Sequence, residues 1–100
     1  MFGLLSRDEK NILDALSKFD EIEEAIVFGS RAIGNYKAGS DVDLALKGPL
    51  GSDLILQISE SLNEDYPLPY FFDVIDYNRI TNEALENHID AYGKSIYSKK

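Results

Sequence analysis

Apolar positions recur at helical spacing near the start of the chain. Ile12, Leu13, Leu16 and Phe19 share one side of a helix predicted over residues 6–19. Ser6-Arg7-Asp8-Glu9 has the form of a capping box, in which a hydroxyl and a carboxylate satisfy orphan amides of the first turn. The acidic run from Glu21 to Glu24 reads as a solvated approach to Ala25-Ile26-Val27-Phe28. That continuous apolar stretch predicts a strand covered on both faces, and Gly29 ends it. From Asp41 the pattern has a period of two: Val42, Leu44 and Leu46 alternate with Asp41, Asp43 and Ala45, the mark of a strand with unlike faces. Gly48-Pro49-Leu50-Gly51 is a turn, after which Ser52 or Asp53 caps a second amphipathic helix carrying Leu54, Ile55, Ile58 and Leu62. Pro67 and Pro69 bracket a break. Tyr70 to Ile75 then predicts another buried strand, and a last helix over roughly residues 81–92 sets Leu85, Ile89 and Tyr92 on one side. Ile96 and Tyr97 follow just beyond Gly93. Helix, strand, loop, strand, helix, strand, helix is the order of an α/β (α+β) fold with helices packed on a small sheet.

Composition narrows the class. One hundred residues with 44% hydrophobic content suit one compact domain, 1–100, and are too few for two. No apolar run is long enough to span a bilayer and no leader with a cleavage site is present, so a cytoplasmic location is expected. The lack of cysteine removes disulfide, zinc-thiolate and thiol-nucleophile chemistry. A formal charge of −8 repels phosphate backbones, which argues against stand-alone binding to DNA or RNA. An acidic protein can still take an anionic nucleotide through metal ions, or dock on a basic partner.

The carboxylates within the alternating strand are the first sign of chemistry. On a strand, Asp41 and Asp43 project to one face about 7 Å apart at Cα. Side by side they repel, unless a cation lies between them. Hard cations such as Mg²⁺ take oxygen ligands, commonly one or two carboxylates plus substrate phosphates. Two ions roughly 3.5–4 Å apart would serve an in-line displacement at phosphorus. A third carboxylate is wanted, and Asp73 interrupts Phe71-Phe72 and Val74-Ile75 in a predicted strand. If that strand lies beside the one carrying the pair, about 4.8 Å separates the backbones. Asp76, three residues on, is read as a strand end rather than a ligand.

Upstream, Gly29-Ser30 follows a buried strand. Glycine permits a tight turn and close approach of a ligand, and successive amides there can cradle an anion. Ser30 adds a hydroxyl; Arg31 is either a charged hydrogen-bond donor to phosphate or half of a surface ion pair. Ten aspartates in 100 residues make about one Asp-x-Asp expected by chance, so the pair alone decides little. Seven glycines and nine serines put Gly-Ser at one set spacing at roughly one in 160, so the constellation carries the inference.

Gly29-Ser30, ten residues, then Asp41-Val42-Asp43 resembles the signature of the DNA polymerase β-like nucleotidyltransferase superfamily. Gly-Ser-Arg-Ala at 29–32, Ser40 to Leu44, Phe72 to Ile75, and the tail from His88-Ile89 through Gly93 to Ile96-Tyr97 are similar to its minimal nucleotidyltransferase (MNT) branch. The resemblance implies a small mixed sheet with helices, and transfer of a nucleoside monophosphate from an NTP to an acceptor with release of pyrophosphate. Carried onto this chain, Asp41, Asp43 and Asp73 would be catalytic and bind Mg²⁺ (two ions, with Mn²⁺ an alternative). Asp73 would also help activate the acceptor hydroxyl. Gly29 and Ser30 would hold the triphosphate, with Arg31 and Ser40 as further nucleotide contacts. Many members act as antitoxins beside a HEPN-domain protein, some by adenylylating a tyrosine on it. AMP from ATP and a HEPN partner are therefore the expectations here. The alternatives are an antitoxin that keeps the nucleotide site but neutralises by complex formation, and an acidic metal-binding module with no nucleotide. Sugar-nucleotide glycosyltransferases also carry Asp-x-Asp but need a much larger domain. The lone His88 reads as a surface or packing residue, and the aromatics of the second half as core with a share left for a partner surface.

Overall fold

The computed structural model describes residues 3–37 and 39–99. Helix α1 (Ser6–Ser17) buries Ile12 and Leu16, as its periodicity requires. The capping box does not form. Leu4 is buried and the chain enters the helix at an extended Leu5, so Ser6 already lies inside the first turn and no side chain caps it. Asp8 turns inward instead, where it accepts a hydrogen bond from the Tyr70 hydroxyl at 3.0 Å.

Strand β1 (Glu24–Phe28) pairs antiparallel with β2 (Val42–Lys47), and β2 pairs in parallel with β3 (Phe72–Asp76). Between β1 and β2 lies the one-turn helix α2 (Ser30–Ile33). Helix α3 (Ser52–Glu60), continued by a wider turn through Asp65, provides the crossover that a parallel pair needs. It starts after Gly51, and neither Ser52 nor Asp53 caps it through a side chain. After α4 (Glu83–Tyr92) a fourth strand, β4 (Lys94–Ser98), returns antiparallel to β1 and gives the sheet order β3-β2-β1-β4. The sheet is thus mixed. Pattern reading leaves β4 out because Lys94-Ser95-Ile96-Tyr97-Ser98 is an edge strand with only two apolar residues. At Gly93 a Cβ would strike the Ile89 carbonyl and the Ile26 side chain, so the helix can turn onto the sheet only through glycine.

β1 is buried on both sides. Ala25 and Val27 join Val42, Leu44, Leu46 and Phe72 under α1 and α3. Ile26 and Phe28 join Ala45 and Ile89 beneath α4. The predicted strand over 70–75 shifts to 72–76, leaving Phe71 60% exposed, and Tyr92 at the end of α4 is also exposed. Among the described residues, no buried side-chain nitrogen or oxygen lacks a hydrogen-bond partner, and no helix is long and apolar enough to cross a membrane.

Candidate active site

Strand pairing gathers the motif residues. Phe28 is the partner of Asp43 across β1–β2, and Asp43 is the partner of Asp73 across β2–β3. Direct partners share a face, so Asp43 and Asp73 stand side by side on the face that α4 covers. Asp41 lies one residue before β2 and is exposed, Asp43 is half-buried, and Asp73 is exposed. Asp76 ends β3 and caps the following turn by accepting the Asn78 amide at 3.0 Å, as a strand-end residue should.

Gly29 turns the chain off β1 with φ 73° and ψ −152°, a conformation open to glycine and strained for other residues. A Cβ there would collide with Oδ2 of Asp43. The Gly29 N–H donates to Nε2 of His88 at 3.0 Å, so this amide of the expected cradle is engaged within the protein. An accepting Nε2 requires the Nδ1–H tautomer of His88. The same imidazole meets Phe28 edge-on, with centroids 6.2 Å apart, and leans on Tyr92 at 5.5 Å.

Ser30, half-buried, opens α2 and accepts the Gly34 and Asn35 amides at its carbonyl. Arg31 and Ser40 meet each other: Arg31 is buried and donates from Nε and Nη2 to the Ser40 carbonyl at 3.2 and 2.7 Å. Ser40 Oγ accepts the Lys37 amide at 2.8 Å.

The electrostatics converge on Asp43. Burial pushes its carboxyl above the usual range, and the charges of Asp73 and Asp41 push it further. Among the described residues no three acidic or histidine side chains are drawn together as a ready metal cluster. The donor set still suits a hard divalent ion: the donors are carboxylate oxygens, and a cation would relieve the repulsion recorded at Asp43.

Two further residues bear on the site: His88, read in the sequence as a surface or packing residue, and Asn63, which the sequence reading passed over. His88 is a polar residue beside Leu85, Ile89 and Tyr92 on the apolar side of α4, and that placement is the signal that could have found it. Asn63 grips the edge strand at Phe72, accepting its N–H at Oδ1 (2.8 Å) and donating to its carbonyl (3.1 Å) next to Asp73. Nothing in the local sequence marks it.

The chain belongs to the polymerase beta nucleotidyltransferase family: the model described as "Polymerase beta, Nucleotidyltransferase" matches residues 10–100. No curated protein matches the sequence significantly. Among solved structures, a chain of a toxin–antitoxin crystallised with AMP-PNP shares the fold. It has a TM-score of 0.74 and 20% identity, over 92% of this chain and 74% of that one. A chain from the tri-AMPylated Shewanella oneidensis HEPN toxin in complex with MNT antitoxin superposes with a TM-score of 0.69 and 18% identity, over 93% and 71%. One from the toxin–antitoxin MntA-HepT gives 0.70 and 17%, over 95% and 74%. At these identities the likeness is one of fold.

Proposed function

We propose that this protein is a metal-dependent nucleotidyltransferase that moves AMP from ATP to a tyrosine hydroxyl of a HEPN-domain partner, and so acts as its antitoxin. The observation that carries the reading is the three-way fit of Gly29, Asp43 and Asp73, which joins both halves of the motif to the third carboxylate. The similar solved structures, a toxin–antitoxin with AMP-PNP and a tri-AMPylated HEPN toxin with MNT antitoxin, support the choice of nucleotide and partner.

In this reading Asp41, Asp43 and Asp73 hold Mg²⁺, or Mn²⁺ in its place. The bound ions supply charge neutralisation on the triphosphate and polarise the reacting phosphorus. The Gly29-Ser30 turn seats the outer phosphates; with the Gly29 amide held by His88, Ser30 provides the polar contact and Gly29 the turn that lets Asp43 stand against the backbone. The acceptor oxygen attacks the α-phosphorus, its proton passes to the Asp73 carboxylate, and the bond to pyrophosphate breaks.

The test incubates labelled ATP with the protein and its HEPN partner. Label on a partner tyrosine, lost in folded Asp41→Asn and Asp43→Asn variants, is the expected result. No transfer by wild type from any NTP would end the catalytic reading. If the double variant still neutralised the partner in cells, neutralisation by complex formation would replace it.

A further inference from the structure

We propose that Arg31 is a positioning residue: its guanidinium fixes the end of the ten-residue spacer and thereby sets where Asp41 stands. The side chain is cationic, yet the residue is only 3% exposed. Nε and Nη2 both reach the Ser40 carbonyl, so the contact fixes direction as well as distance. The rings of Tyr36 and Tyr70 flank it, with centroids 5.1 and 4.9 Å from Cζ, and offer their π faces to the charge. Tyr70 is itself held through its hydroxyl by Asp8 in α1, which is 1% exposed. Ser40 completes the joint, since its Oγ takes the Lys37 amide and its own amide donates to the Lys37 carbonyl at 2.9 Å.

This clamp ties together α2, which opens at Ser30, the backbone directly before Asp41, and a helix under the opposite face of the sheet. A buried charge is tolerated only with partners, and these partners are internal. Turning the guanidinium out to a phosphate would break them. The motif spacing is therefore maintained by a cross-brace rather than by chain length alone.

The effect on transfer rests on the function proposed above, whereas the clamp does not, and the experiment separates the two. Hydrogen exchange at the Lys37 and Ser40 amides is measured by NMR without metal or nucleotide in wild type, Arg31→Lys and Arg31→Gln. Mn²⁺ binding without nucleotide and ATP binding are then titrated. Both variants are expected to exchange about tenfold faster or more, and to bind Mn²⁺ more weakly. Lysine should not restore either, because it keeps the charge and loses the fork. Unchanged exchange and Mn²⁺ binding, with a loss of ATP affinity that lysine restores, would overturn the proposal in favour of a phosphate contact. If wild type bound no Mn²⁺ even with ATP present, the proposed function would fail, while exchange would still decide the clamp. Should Arg31→Gln not fold, Tyr36→Leu removes one flank; faster exchange supports the clamp, and unchanged exchange overturns it.

Discussion

Oδ2 of Asp43 fills the space that a Cβ on Gly29 would need. The Gly-Ser turn and the Asp-x-Asp strand are therefore halves of one packing unit, set in register by the pairing of Phe28 with Asp43.

Replacing that glycine tests the unit. Gly29→Ala forces a side chain into positive φ, which costs about 1–2 kcal/mol, and displaces the Asp43 carboxylate. A fall in Tm of roughly 5–10 °C is expected in a thermal melt. Transfer should fall about 100-fold, as for an ångström-scale misplacement of a reacting group. An alanine variant as stable and active as wild type would reduce Gly29 to an ordinary turn residue.

Asp43 should lower stability where it is charged. Its carboxyl is raised above the unfolded value by burial and by Asp73 and Asp41, so the folded state binds this proton more tightly. Stability from this group is then greatest in acid and falls as pH rises from the ordinary carboxylate value through the raised one. In metal-free buffer Asp43→Asn should raise Tm at neutral pH by on the order of a few degrees. The gain should shrink as pH falls and vanish below the ordinary carboxylate value of about 4. A gain of equal size at both pH values would trace the effect to packing.

Asn63 supports Asp73 from the outer edge of the sheet. Asn63→Leu leaves the Phe72 N–H and carbonyl without their side-chain partner, for an expected loss of about 2–3 kcal/mol in urea unfolding. In the proposed reaction kcat should fall while ATP binding is kept, because the loosened residue is the proton acceptor. Loss of ATP affinity alone would place the effect elsewhere.

Tyr77 offers a pH probe away from the site. Its hydroxyl donates to Oδ1 of Asp90 at 2.6 Å, and chiefly through this bond its pKa is pushed up to about 12. The contribution to stability is present below the ordinary tyrosine value of about 10 and is lost as pH rises through the raised one. An absorbance titration should show a late-ionising tyrosine that returns toward the ordinary value in Asp90→Asn, while Tyr70, which burial and Asp8 also raise, is unaffected. An unchanged titration would refute the coupling.

The elements most legible in the sequence are those whose burial is one-sided or complete. Ile12 and Leu16 announce α1, the apolar run 25–28 announces β1, and Val42, Leu44 and Leu46 announce β2. Asp73 beside Asp43 also follows from pattern, once the two strands are taken as neighbours. What stays hidden depends on contacts far apart in the chain. His88 meets Gly29 from 59 residues away, and Tyr70 meets Asp8 from 62 away. No local spacing encodes either contact. Caps fail for a related reason: Leu4 and Gly51 set where the helices begin, so Ser6 and Ser52 fall inside them. Arg31 illustrates the limit most directly, since a cation after Gly-Ser suggests a phosphate contact or a surface ion pair, whereas its burial and its bonds to the Ser40 carbonyl come only from the fold.

The parallel pairing of β2 with β3 gives the assembly a schedule. The β1–β2 hairpin closes from neighbouring chain, whereas β3 must wait for α3 to cross over, and β4 for nearly all the rest. Contacts of long sequence separation carry a larger loop-closure cost. The turn and its first two acids are thus neighbours in the chain, whereas the third reaches Asp43 only across α3, so the repulsion between Asp43 and Asp73 belongs to the long-range part of the fold. Competence and internal tension enter the molecule in the same step.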